Sequence, residues 1–243
     1  MAFKREQITA DTLMRIRLVK SLPDDDVEHC EAPESAWVRG FVQYAKDNDS
    51  YGADGAQWKR LLAIIGLIFG AGLRRFEVAK ILCGDIKARS YKIQGKGSSV
   101  HKLPLTDFAI ECIMPWKNAF EYLVEGTGAD PANMPLICPI GQGGLVRFGE
   151  CVTPQGLNHI FNQAKHGAVQ MGYITDETAP RPHDGRAFFI TTVASETGDI
   201  SAAQQLARHK NISTTQLYDT RAKSRAKKIA REIDMLGGDK GME

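Results

Sequence analysis

The 243-residue chain carries 31 Lys and Arg against 29 Asp and Glu, a net charge of +2, with 43% hydrophobic and 25% charged residues. That is ordinary globular composition and lacks the strongly basic footprint of many nucleic-acid binders. Five scattered cysteines (Cys30, Cys83, Cys112, Cys138 and Cys151) form no CxxC pair, which argues against a disulfide framework or structural zinc and points to a reducing cytoplasm.

In chain order, "MAFKREQITADT" shows no apolar signal core. Residues 9–21 read as one amphipathic helix, and the acidic, Pro-containing stretch 23–33 as a linker. From Pro33 the pattern is continuously globular. "ESAWVRGFVQYAKD" sets Trp37, Val38, Phe41, Val42 and Ala45 at helical spacing. Residues 56–70 read as a buried helix stopped by Gly70 and Gly72; its run "LLAIIGLIFGAG" is too short to span a bilayer. A short helix, "RFEVAKIL", follows. Residues 84–105 read as strands around a Gly-rich turn. A helix over 107–125 precedes a loop and a possible third strand, "PLICPI" (135–140). Helices are predicted over 154–171, 184–197, 200–208 and 213–219. The expected fold is mainly α with a small antiparallel β-sheet (α+β).

Several motifs fail. "GAGLRR" starts like a dinucleotide fingerprint, but Arg75 replaces the last Gly and a helix precedes it. "GKGSS" lacks the Gly that a P-loop needs at position 90, which is Ser90. The histidines make no HExxH, and no acidic cluster suggests a two-metal nuclease. No cofactor and no metal are expected.

What remains is a series of polar groups at turns and helix ends, each with a plainer reading. Arg74 ends the buried helix, where it would favour the helix dipole. Lys96 sits at the hairpin tip, where a solvated turn lysine is ordinary. "RPHDGR" puts His183 and Arg186 at i and i+3, able to share one side, with Asp184 as an expected cap. His209 ends a helix. "STTQ" has the capping-box form, which places Tyr218 in the second turn of a short helix.

Taken in order, Arg, turn Lys, His-x-x-Arg, His and Tyr resemble the tyrosine recombinase family, the phage-integrase and Xer-like site-specific recombinases. "AGLRRFE" resembles the TGLR-x-x-E box, and "IQGKGSSVHKLPL" the GKG hairpin. "HDGR" matches His-x-x-Arg, and "LARHKNISTTQLY" resembles the LLGH…STT-x-x-Y box. The resemblance runs from about residue 33 to the end, making 33–243 the expected catalytic domain and 1–32 an N-terminal helix and linker. The chain departs from the pattern at Ala71 (for Thr), Gly185 (for Leu), Ala187 (for a frequent His) and Arg208 (for Gly).

The resemblance implies DNA strand cleavage and rejoining through a covalent 3′-phosphotyrosine at Tyr218, without ATP or metal. Arg74, Arg186 and His209 would stabilise the charged phosphorus centre, for which planar guanidinium donors are suited. His183 would handle the proton of Tyr218, whose phenol ordinarily has a pKa of about 10. Lys96 would protonate the departing 5′-oxygen. Arg208, Lys210, Arg221 and Lys223 are candidate DNA contacts.

The implied partners are double-stranded DNA and further copies of the chain, as a tetramer on paired sites. A second protein completing the DNA clamp is also considered. No membrane partner is expected, and the implied setting is a bacterial or phage-encoded protein acting at the nucleoid. A tail helix over 222–236 can pack on its own domain or on a neighbour. Two other readings stay open: a type IB topoisomerase-like relaxing enzyme, and a DNA-binding accessory protein without catalysis.

Overall fold

A computed structural model of the chain describes residues 32–49, 55–94, 99–175 and 181–208. Their architecture is the expected one, mostly helices with one small two-stranded antiparallel sheet.

Helix α1 (Ser35–Asp47) buries the predicted stripe of Trp37, Val38, Phe41, Val42 and Ala45. Helix α2 (Gly55–Ile65) has Leu61 to Ile65 buried without interruption. A helix apolar all round belongs at the centre of a domain, and α2 packs along α4 (Asp107–Glu125). Gly66 and Gly70 make this approach possible: a Cβ at either would lie 2.8 Å from the Cβ of Cys112 or Ala109.

The predicted helix over 56–70 changes character at its end. Gly66–Gly70 form a π-helical turn, in which the Ala71 N–H reaches back to the Gly66 carbonyl at 3.0 Å. The wider turn re-aims the chain where the site begins. Helix α3 (Arg75–Lys80) follows.

Strands β1 (Ser90–Gln94) and β2 (Val100–Pro104) form the predicted hairpin, with Ser90 opposite Pro104 and Gln94 opposite Val100. Its tip, with Lys96, lies outside the described residues.

The expected third strand over 135–140 is not a strand. Leu136, Ile137 and Cys138 are fully buried, which is why the segment reads as one. Its neighbours are isolated bridges, Leu82 to Pro135 and Ile140 to Val146. Backbone N–H groups of Val152 and Arg147 take the Ile137 and Pro139 carbonyls, and side chains take two others. Trp116 Nε1 donates to Leu136 O at 2.8 Å, and Arg60 Nη1 to Cys138 O at 2.9 Å. Buried backbone groups need a partner, and a side chain serves as well as a neighbouring strand.

Helices α5 (Pro154–Gln170), α6 (Asp184–Thr197) and α7 (Ile200–Ala207) complete the described fold. Phe189, Ile190 and Ala194 of α6 pack on Ala203 and Ala207 of α7 as a smaller second core. Asp184 is the first helical residue of α6 rather than its cap; His183 occupies the cap position. The helices predicted over 9–21, 213–219 and 222–236 lie outside the described residues. Among the described residues, no helix is long and apolar enough to cross a membrane.

Candidate active site

The site is built where the π-turn stops. The end of a helix leaves carbonyls without helical partners. Three successive ones are taken by side chains from three other elements. The Thr106 hydroxyl donates to Gly70 O at 2.8 Å, Tyr91 Oη to Ala71 O at 3.0 Å and Arg186 Nη1 to Gly72 O at 2.7 Å. Thr106 caps α4, Tyr91 lies on β1 and Arg186 on α6. This segment is therefore fixed from three sides immediately before Arg74.

Gly72 makes the bend itself. Its φ is +64°, a left-handed value that glycine reaches without a steric penalty. A Cβ there would also lie 2.5 Å from the Phe189 ring.

Arg74 leaves this bend as the N-cap of α3, in extended conformation. The plainer reading, a C-terminal helix arginine on the preceding dipole, is thus replaced by a residue that opens the next helix. Glu77 holds it. The Glu77 carboxylate accepts the Arg74 backbone N–H at 2.7 Å and Arg74 Nη1 at 3.3 Å. The same carboxylate accepts Arg208 Nη2 at 2.8 Å. Glu77 is buried, and Arg74 keeps 39% of its side chain exposed. The half-exposed guanidinium has room to meet a ligand.

Arg186 is buried at 5% exposure. Besides Gly72 O, it donates through Nη2 to the Ala207 carbonyl at the end of α7. Burial first, then the Arg74 and Arg208 charges, bring its pKa down to about 10. It stays cationic at neutral pH. Arg74 and Arg208 thus both lie within electrostatic reach of Arg186. Arg74 and Arg208 share the carboxylate of Glu77, and Arg186, bonded to carbonyls, feels the charges of all three, so positive charge exceeds negative among these groups.

Arg208 stands where the resembled family carries Gly. Its φ is 56°, and it has the one positive φ of a non-glycine among the described residues. A side chain in this conformation costs about 1–2 kcal/mol. The guanidinium is only 10% exposed and turns inward to Glu77. Its Nε is buried without a hydrogen-bond partner among the described residues.

Gly185, the other notable departure, has a steric reason. A Cβ there would lie 2.2 Å from Ile68 Cγ2 and 3.2 Å from Phe69 Cε1. The bulky π-turn residues fill the space that a larger side chain on α6 would need. Gly185→Leu, which restores the family's usual residue, is expected to destabilise the protein by about 1–3 kcal/mol through overpacking. Urea unfolding monitored by circular dichroism measures it.

The structure thus brings together Arg74, Arg186 and Arg208. His183 is exposed at the start of α6, and its carbonyl accepts the Arg186 N–H at 3.3 Å. Lys96, His209, Lys210, Tyr218, Arg221 and Lys223 lie outside the described residues. Sequence reasoning did not single out Glu77 as a site residue, although it closes the "AGLRRFE" box. It also missed Tyr91, which reads as an ordinary strand tyrosine.

Comparison with known proteins agrees with this architecture. The model of the phage integrase family matches residues 48–225. Tyrosine recombinase XerC of Vibrio vulnificus is 29% identical over 158 residues, covering 64% of this chain and 44% of the relative. A tyrosine recombinase of Synechocystis is 29% identical over 201 residues, covering 80% and 59%. The chain spans about half the length of the curated XerC relatives it matches.

Among solved structures, XerA recombinase superposes with a TM-score of 0.58 at 16% identity, over 83% of this chain and 64% of that one. The Tn1549 transposon integrase, in complex with circular intermediate DNA, gives 0.56 at 20% identity, over 87% and 70%. These likenesses establish the fold. With a family model spanning most of its length, the chain belongs to the phage integrase family.

Proposed function

We propose that residues 33–243 form the catalytic domain of a site-specific tyrosine recombinase acting on double-stranded DNA. The observation that carries this reading is the arginine cluster, with Arg74 and Arg208 on one carboxylate and Arg186 within electrostatic reach of both. Such an excess of fixed positive charge suits an anion whose charge grows during reaction, as at a phosphodiester under displacement. Two relatives' names add support, as tyrosine recombinases, and the Tn1549 neighbour holds DNA.

The chemistry is a pair of in-line displacements. The Tyr218 phenol oxygen attacks phosphorus, the phosphorus–O5′ bond breaks, and a 3′-phosphotyrosyl link forms. His183 takes the phenol proton, and Lys96 delivers a proton to the departing 5′-oxygen. Arg74, Arg186 and His209 bind the non-bridging oxygens. A 5′-hydroxyl then reverses these steps on the phosphotyrosine, so the energy of the broken bond is retained for rejoining. Paired sites and several copies of the chain are required for exchange between two duplexes. Lys210, Arg221 and Lys223 would contact phosphates along the duplex.

The test is covalent trapping. Wild type and Tyr218→Phe are incubated with fragmented DNA of the source organism and quenched in detergent, and protein-linked ends are sequenced. Adducts on 3′ ends with wild type alone are the expected result. Adducts with both proteins would remove Tyr218 from the nucleophile role. No adduct in buffer or in cell extract would count against catalysis. Relaxation of plasmid lacking a specific site would instead favour a topoisomerase.

A further inference from the structure

Arg208 occupies a backbone conformation that glycine would take without strain, at φ 56° and ψ 39°. Something must hold a bulky side chain there. The hold is the 2.8 Å ion pair between Arg208 Nη2 and Glu77 Oε2, joining residues 131 positions apart and about 90% buried on both sides. One residue earlier, the Ala207 carbonyl accepts Arg186 Nη2. The end of α7 is therefore clasped at two successive residues. One clasp runs to Arg186 and the other, through Glu77, to the backbone and side chain of Arg74.

We propose that Arg208 is a positioning residue that locks the end of α7 to the Arg74–Glu77 unit, and so sets the spacing of the two phosphate-binding arginines. A glycine would satisfy the turn but carry no tether. The side chain does not spend its charge on solvent-facing phosphate; it steadies the carboxylate that steadies Arg74. This inference builds on the anion-site reading above, and its test does not require DNA cleavage.

The experiment is a double-mutant cycle on inorganic phosphate affinity, measured by titration calorimetry at constant ionic strength. The proteins are wild type, Arg208→Gly, Glu77→Gln and the double variant. Arg208→Gly is expected to weaken phosphate binding about tenfold. Glu77→Gln should do about the same, and the double variant should bind no more weakly than either single one.

Arg208→Lys keeps the charge and should recover part of the loss. Arg208→Ala keeps the backbone strain, so it should melt below Arg208→Gly while binding phosphate as weakly. Near-ultraviolet dichroism confirms that each variant is folded.

Unchanged affinity in Arg208→Gly would overturn the proposal. So would a further full loss when Arg208→Gly is added to Glu77→Gln, because that marks a direct phosphate contact. A wild type without phosphate affinity would overturn it together with the anion site. Conversely, the expected cycle in a protein that forms no DNA adduct would sink the recombination reading and leave the positioning role standing.

Discussion

Arg186→Lys is expected to slow formation of the Tyr218–DNA adduct by about 10²–10³-fold, as when a preorganised donor at a developing oxyanion is lost. Lysine keeps the charge, so a purely electrostatic role would predict a small effect. Arg186 does more than carry charge. One nitrogen of its fork holds the Gly72 carbonyl at 2.7 Å and the other holds Ala207. These bonds join the bend before Arg74 to the end of α7. A single ammonium on a flexible stem cannot span both in a fixed plane. The substitution also leaves buried carbonyls short of a donor, so a loss of about 1–3 kcal/mol in stability accompanies it. Single-turnover quench measurements at saturating DNA, read beside urea unfolding, separate the two effects. A rate close to wild type would show that charge alone suffices.

Glu77→Leu is expected to produce the largest loss of stability, about 3–5 kcal/mol. Leucine is similar in size and apolar, so it fits the buried position. What it removes is the common partner of Arg74 and Arg208. Arg208 is then a nearly buried cation with no carboxylate beside it, in a backbone conformation that is already strained. Arg186 stands close enough to feel the added repulsion.

Adding Arg208→Gly to Glu77→Leu should restore part of the stability, since the stranded charge and the strain leave together. Thermal and urea unfolding of the single and double variants measure this. A single variant as stable as wild type would mean that the Glu77 pairs contribute nothing net.

Much of this protein is legible one segment at a time. The stripe from Trp37 to Ala45 marks α1 because burial repeats with the helical period. The hairpin 90–104 is visible from its strand residues around a Gly-rich turn, and the order of the boxes points to the family without any structure. Local pattern falters where partners are distant. Residues 135–140 look like a strand because they are apolar, yet the Leu136 and Cys138 carbonyls go to the side chains of Trp116 and Arg60. The π-turn after Ile65 is indistinguishable from an ordinary last helical turn until Thr106, Tyr91 and Arg186 are seen on its carbonyls.

The sequence by itself determined the helical class and the hairpin, because those depend on spacing within a few turns of chain, and the order of its boxes pointed to the family. Only the tertiary structure decided which group Arg208 meets. In sequence it is a charged residue replacing a glycine, and reads as a backbone disturbance or a DNA contact. In the fold it meets Glu77, 131 positions away. Arg186 likewise finds Gly72 at a separation of 114. Such pairings are set by the packing of α6 on the π-turn and of α7 on α6, and no local periodicity encodes them.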